Sequence, residues 1–367
     1  MHCLGSTYQK LGEYKKAKEL EMVVLEKWTT ILGLDHPDTL LAMGNLATTY
    51  SNLGDYHKAE KLEMVVLEKR ITLLSQDHPE TLTAMANLGS TYSNLGDYEK
   101  AKELKTQVLQ KRTTLLGQDH PDTLRAMGNL ARTYSDFGDY EKAKELEMVV
   151  LQKRTTLLGQ GHPDTLRAMG NLARTYYDLG DYVKAKELEM VVLQKQTTLL
   201  GQDHPDTLRA MGNLARTYSD LGDYVKAKEL GVTVLEKRTT LLGQDHPDTL
   251  RATGNLARTY SDLGHYVKAK ELGVTVLEKR TTLLGQNHPD TLMTMANLAV
   301  TYYAQGEFTM AEVLQTVVLE KQRHLFGDGH PNSILAMQEL AHTYRKLQKL
   351  KEVEKLDQLV KDSQKST

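Results

Sequence analysis

The 367-residue chain contains one cysteine, one tryptophan and eight prolines. Cys3 alone cannot build a disulfide framework and suits a reducing compartment, so a cytoplasmic protein is expected. No apolar run approaches the roughly 18 residues of a membrane span. The opening MHCLGSTYQKLGEYKKA lacks the apolar core of a signal peptide. Charge of one sign is lacking too: 46 Lys and Arg stand against 48 Asp and Glu, a net charge of −2. That balance gives no overall pull toward nucleic acid or an anionic membrane, and neither partner is expected. A GxxxxGK[ST] phosphate loop is absent, so no nucleotide cofactor is expected either.

What the chain does have is repetition. All eight prolines follow a histidine, and His36, His78, His120, His162, His204, His246, His288 and His330 each stand 42 residues apart. The segment GQDHPDTL at 117–124 returns unchanged at 201–208 and 243–250. A fixed period in this range marks a stacked repeat array rather than a set of globules. With proline confined to the His-Pro steps, nothing between them breaks a helix.

Residues 163–204 show how one unit folds. Leu166, Met169, Leu172, Ala173, Tyr176 and Leu179 follow the spacing of one helical face. Pro163 suits a first turn, Asp164 and Thr165 offer capping oxygens, and Gly180 suits a left-handed stop. Asp181 then caps a second helix, whose stripe reads Tyr182, Ala185, Leu188, Val192, Leu193, Leu199 and Leu200 before Gly201 ends it. The unit is an antiparallel helical hairpin, and the His-Pro step is the joint between hairpins. As a metal site the histidine lacks a ligand set at fixed spacing, so none is expected. As a general base it lacks a nucleophile, although Asp precedes it in five of the eight copies. Sixteen of the eighteen tyrosines fall on two packing rows; only Tyr177 and Tyr303 lie off them.

The segment NLARTYYDLGDYVKAKEL resembles the tetratricopeptide repeat core, with Leu172, Ala173, Tyr176, Gly180, Tyr182 and Ala185 on its signature positions. The 42-residue unit is similar to the longer form found in kinesin light chains and in the C-terminal arrays of fungal and bacterial NLR-type signalling proteins. Near-identity of neighbouring units, five differences between 121–162 and 163–204, looks most like the fungal arrays. The resemblance implies an all-α, right-handed superhelical solenoid of antiparallel hairpins, and a protein-binding scaffold without chemistry of its own. Within it, Gly231 and Gly273 interrupt second helices at about 1 kcal/mol each against alanine, so those units are expected to be softer.

Met1 aligns with Met43, so the array is expected to open on a partial repeat at 1–36, followed by seven complete repeats at 37–330 and a charged capping repeat at 331–367. The resemblance also implies that first helices line a groove. Their free face carries an asparagine from Asn45 to Asn297, replaced by Glu339 in the last unit, and the amides of Asn129, Asn171, Asn213 and Asn255 suit a peptide main chain. Beside them stand Arg132, Arg174, Arg216 and Arg258, with Arg167 and Arg209 a turn or two away and Tyr177 and Tyr303 as the unpatterned aromatics. Arg125 and Arg251 complete eight groove arginines against Asp136, Asp178, Asp220 and Asp262, a formal excess of four positive charges. Met293, Val300, Tyr303 and Ala304 make the C-terminal end apolar. The expected partner is an extended protein segment, acidic with an apolar anchor, and the chain is expected to serve as the ligand-sensing part of a larger signalling protein. The alternatives are a module that self-associates end to end through open repeat faces, an RNA-binding solenoid or an engineered consensus array. No constellation beyond the repeats points to an enzyme.

Overall fold

The structure, a computed structural model, describes residues 2–365, with side chains from 4 to 363. The described residues form helices and no strands, in two compact units, Met1–Leu221 and Gly222–Thr367. The first unit holds α1 (His2–Lys10), α2 (Tyr14–Leu32), α3 (Pro37–Asn52), α4 (Tyr56–Leu74), α5 (Pro79–Leu95), α6 (Tyr98–Leu116), α7 (Pro121–Asp136), α8 (Tyr140–Leu158), α9 (Pro163–Asp178), α10 (Tyr182–Leu200) and α11 (Pro205–Asp220). The second holds α12 (Tyr224–Leu242), α13 (Pro247–Asp262), α14 (Tyr266–Leu284), α15 (Pro289–Gln305), α16 (Phe308–Phe326), α17 (Pro331–Lys346) and α18 (Leu350–Lys365). Within each unit every helix packs on the next in sequence, which is the all-α repeat array expected.

The His-Pro joint works differently from the sequence reading. In all eight copies the histidine itself is the N-cap: its Nδ1 accepts the backbone N–H two residues on, at 3.1–3.2 Å. An acceptor Nδ1 means a neutral ring with its proton on Nε2. Asp164 and Thr165, expected as caps, are otherwise engaged: Asp164 receives Arg167 at 2.7 Å, and Thr165 Oγ1 donates to the Arg154 carbonyl at 3.3 Å. The preceding aspartate is no partner for a catalytic histidine. It pairs with a lysine one repeat on, as Asp35 does with Lys69 and Asp245 with Lys279, both at 2.8 Å.

The first-helix stripe is met in part. Leu166, Leu172 and Ala173 are at most 5% exposed, whereas Met169, Tyr176 and Leu179 are half-buried and Ala168, outside the expected stripe, is buried. Asp181 caps α10 as expected, accepting from Lys184 N at 3.1 Å. The second-helix stripe departs from the expectation: Leu199 and Leu200 are exposed, and the buried residues of α10 are Ala185, Glu189, Val192 and Gln196. Their 4-3-4 spacing is a proper helical face. It was hidden because two of its members are polar.

Both polar positions recur. The first is Glu21, Glu63, Lys105, Glu147, Glu189 and Gln315, all buried, with Gly231 and Gly273 in the same series. The second is an arginine series. Arg112, Arg154, Arg238 and Arg280 are each at most 7% exposed, and Arg70 belongs to the same row. Each donates through Nη1 to the carbonyl ten residues on, in the first turn of the next helix, at 2.8–3.2 Å. Buried charges need such partners, and these ties lock the joint across the His-Pro step.

Candidate functional site

The first helices present the expected asparagine and arginine rows, and α7, α8 and α9 enclose a cavity of about 400 Å³ beneath them. Asn129, Arg132, Asn171, Arg174, Arg167 and Arg209 all line it. Helical spacing explains the wall: Asn129 and Arg132, like Asn171 and Arg174, are three apart and share a face. The side-chain amides of Asn129, Asn171, Asn213 and Asn255 hydrogen-bond to no described residue. They do not satisfy their own helices, which leaves them open to a ligand main chain.

The floor of this cavity is Glu147, which the sequence reading did not select. Its Oε2 accepts Thr175 Oγ1 at 2.6 Å. Burial pushes this carboxyl up to about 7, against the Thr175 hydrogen bond and the charge of Arg174. Glu189 and Glu63 are pushed up to about 7 by the same cause. Lys105, which donates to Thr133 at 2.8 Å, is pulled down to about 8 by burial. The available signal was the alternation with Ala185 and Val192 on one face, which marks a glutamate as inward-facing.

The charge count on this face needs correction. Arg125, Arg167, Arg209 and Arg251 each bond the aspartate three residues earlier, Asp122, Asp164, Asp206 and Asp248, at 2.7–2.8 Å. Adding these four first-turn aspartates sets eight arginines against eight aspartates, so the formal excess disappears. The expected partners four residues on are looser: Arg132–Asp136 at 3.9 Å, Arg174–Asp178 at 3.6 Å and Arg258–Asp262 at 3.9 Å. The arginines are roughly half exposed, and such long, exposed contacts contribute little and yield readily to a competing anion.

Arg216 differs from its row. Its guanidinium lies 4.0 Å from the Tyr177 ring centroid, and its Nε is buried without a hydrogen-bond partner. Tyr177 donates its phenol proton to Asp220, the aspartate that would correspond to Asp178. Asn213, Arg216 and Tyr177 do not line the cavity under α7 and α9.

In the second unit Asn255 is exposed. Met293, Asn297 and Val300 line a separate, mostly apolar cavity of about 370 Å³, closed by Leu292, Val318, Phe326 and Leu335. Tyr303 and Ala304, expected at this apolar end, are not among its lining residues; Tyr303 packs edge-on against Phe308 at 5.2 Å. Among the described residues no cluster of His, Cys, Asp and Glu could hold a metal ion, and no helix is long and apolar enough to cross a membrane.

Two family models, both described as tetratricopeptide repeat, match the chain, one over residues 1–71 and 80–152 and the other over 165–206, 207–248, 249–290 and 291–332. No curated protein matches. Among solved structures, a candidate kinesin light chain of Podosopora anserina with nearly identical TPR-like repeats is 31% identical, covering 56% of this chain and 97% of its own, with a TM-score of 0.47. A Rap protein complexed with Competence and Sporulation Factor is 13% identical, covering 99% of this chain and 96% of its own, with a TM-score of 0.63. The apo form of RapI is also 13% identical, over 77% of this chain and 97% of its own, with a TM-score of 0.57. The last two are likenesses of fold alone. With hairpins recurring every 42 residues and family models matching most of its length, the chain belongs to the tetratricopeptide repeat family.

Proposed function

We propose that this chain is a non-enzymatic scaffold that binds an extended protein segment along its first helices. Repeats of this family generally mediate protein–protein interaction, which gives the coarse function. The observation that carries the finer reading is the pair of amides of Asn129 and Asn171, which bond to no described residue and line a cavity walled by arginines. In the first unit Asn129, Asn171 and Asn213 grip main-chain amides of the segment. Arg132 and Arg174, held only at 3.5–3.9 Å by their aspartates, exchange those contacts for carboxylates of the ligand. The acidic preference therefore rests on loosely held pairs, since the face has no net excess of charge.

In the second unit the cavity at Met293 and Val300 takes a bulky apolar side chain, with Asn255 and Arg258 as the corresponding polar pair. A cytoplasmic protein is the setting proposed, with the array as the sensing part of a larger signalling protein of the fungal NLR kind.

Calorimetric titration of the intact chain with a synthetic Asp- and Glu-rich peptide tests the reading. Replacing Asn171 and Asn213 by Ala lowers affinity whatever the peptide charge, whereas replacing Arg132 and Arg174 lowers it for the acidic peptide only and flattens its salt dependence. Binding that ignores both pairs of substitutions refutes the assignment to this face.

A further inference from the structure

Nearly identical repeats pose a problem for any ligand that lies along them. The four middle units offer the same asparagine and arginine, Asn129 and Arg132 to Asn255 and Arg258, so a bound segment has several registers of equal energy unless one of these units differs. Residue 177 is the difference. Its counterparts one repeat earlier and later are Ser135 and Ser219.

Where serine stands, the arginine row stays close to carboxylates. Ser135 donates to Asp178 at 3.3 Å, and Arg174 keeps both Asp136 at 3.5 Å and Asp178 at 3.6 Å. Where tyrosine stands, the longer side chain reaches Asp220 and bonds it. Arg216 then lies over the tyrosine ring, 4.0 Å from its centroid, and makes no ion pair with a described residue. The buried Glu189 carboxyl feels its charge, which pulls it downward against a larger effect of burial, but the two form no ion pair. A guanidinium stacked on an aromatic face keeps its terminal N–H edge for a carboxylate, and stacking removes the rotamer freedom it would otherwise lose on binding.

We propose that Tyr177 sets the register of a bound acidic segment by occupying Asp220 and presenting Arg216 as the cation with no competing carboxylate. This rests on the peptide-binding reading above and deepens it. Tyr177 is a positioning residue, and Arg216 is the group that touches the ligand carboxylate.

The test uses the full chain and an Asp- and Glu-rich peptide carrying a benzophenone at one end. Tryptic fragments beginning at Thr133, Thr175, Thr217 and Thr259 differ in sequence, so the repeat that captures the crosslink is readable by mass spectrometry. On the wild type one fragment dominates. With Tyr177→Ala the crosslinks spread over neighbouring repeats, and affinity falls about three- to tenfold, the scale of one displaced ion-pair contact. Tyr177→Phe keeps the ring but returns Asp220 to Arg216, and it spreads the crosslinks as well. Ser135→Tyr adds a second dominant fragment one repeat nearer the N-terminus.

A Tyr177→Phe chain with the wild-type pattern overturns the proposal, as does an unchanged pattern in Tyr177→Ala or in Ser135→Tyr. Such results leave peptide binding itself intact. A wild-type chain that binds no acidic peptide at all refutes both readings.

Discussion

Arg154 donates through Nη1 to the carbonyl of Asp164 at 3.0 Å, tying the end of α8 to the first turn of α9 across the His-Pro joint. The same tie is made by Arg112 to Asp122 and, in the second unit, by Arg238 to Asp248 and Arg280 to Asp290. Arg154→Ala deletes a charge-assisted hydrogen bond at a half-buried carbonyl and leaves a gap. The expected loss is about 2–3 kcal/mol of local stability. Hydrogen exchange shows it as faster opening of the amides flanking residues 154–166, with distant units little changed.

The unit that lacks this arginine supplies the reverse experiment. Gln196 takes its place in α10, buried, with an Oε1 that has no partner. Gln196→Arg restores the tie and removes the unsatisfied oxygen, so it should raise the denaturation midpoint of the first unit. An unchanged or lowered midpoint shows that the pocket around Gln196 has closed on the shorter side chain.

Ser75 carries φ 92° and ψ 165° at a joint where Gly33, Gly117, Gly159 and Gly201 stand in the equivalent place. That region is essentially reserved for glycine, and a side chain there costs of order 1–3 kcal/mol. A Cβ built on Gly33 or Gly117 meets nothing within 4 Å, so the cost is one of backbone and not of crowding. Ser75→Gly should stabilise the first unit by about 1 kcal/mol once the added freedom of the unfolded chain is counted. Urea titration reads this as a higher midpoint at unchanged slope.

Repeat length, hairpins, the first-helix core and the asparagine row were legible in the sequence because each follows from a period or from a residue with a narrow conformational role. The buried polar positions were not. Glu189 and Gln196 are long buried side chains, the first bonded at its head to Thr217 and the second with an unsatisfied amide oxygen, and hydropathy alone assigns such residues to the surface. The His162 cap was missed for a related reason. Capping preferences point to Ser, Thr, Asp and Asn, whereas here the proline at the first helical position leaves the next amide to an imidazole nitrogen. Charge balance failed at Asp164, which looked committed to capping and instead neutralises Arg167.

The three glutamates pushed up to about 7 make stability depend on pH. In the unfolded chain these groups ionise near their ordinary value of about 4.3. Between that value and about 7 the folded state holds more protons than the unfolded one, so stability falls as pH rises through this window and levels off above it. Glu147→Gln and Glu189→Gln together should remove much of the slope and raise stability at pH 8. A wild-type first unit as stable at pH 8 as at pH 5 contradicts this account.

The same linkage revises the expectation that the units holding Gly231 and Gly273 are soft. These glycines occupy the position of the buried glutamates, and the freed space is filled: a Cβ on Gly231 would lie 3.2 Å from Leu256 Cδ1, and one on Gly273 would lie 3.1 Å from Leu298 Cδ1. A glycine unit therefore loses about 1 kcal/mol of helix propensity but carries no buried carboxylate. Near pH 5, where Glu147 and Glu189 are protonated in the folded chain, that propensity deficit should dominate, and α12 and α14 should open sooner than α8 and α10. Near pH 8 the glutamates are ionised in a setting that disfavours their charge, and the order should reverse. Amide exchange corrected for its intrinsic pH dependence measures both orders on one sample. Protection ranked identically at the two pH values would mean that the buried carboxyls do not govern the stability of their hairpins.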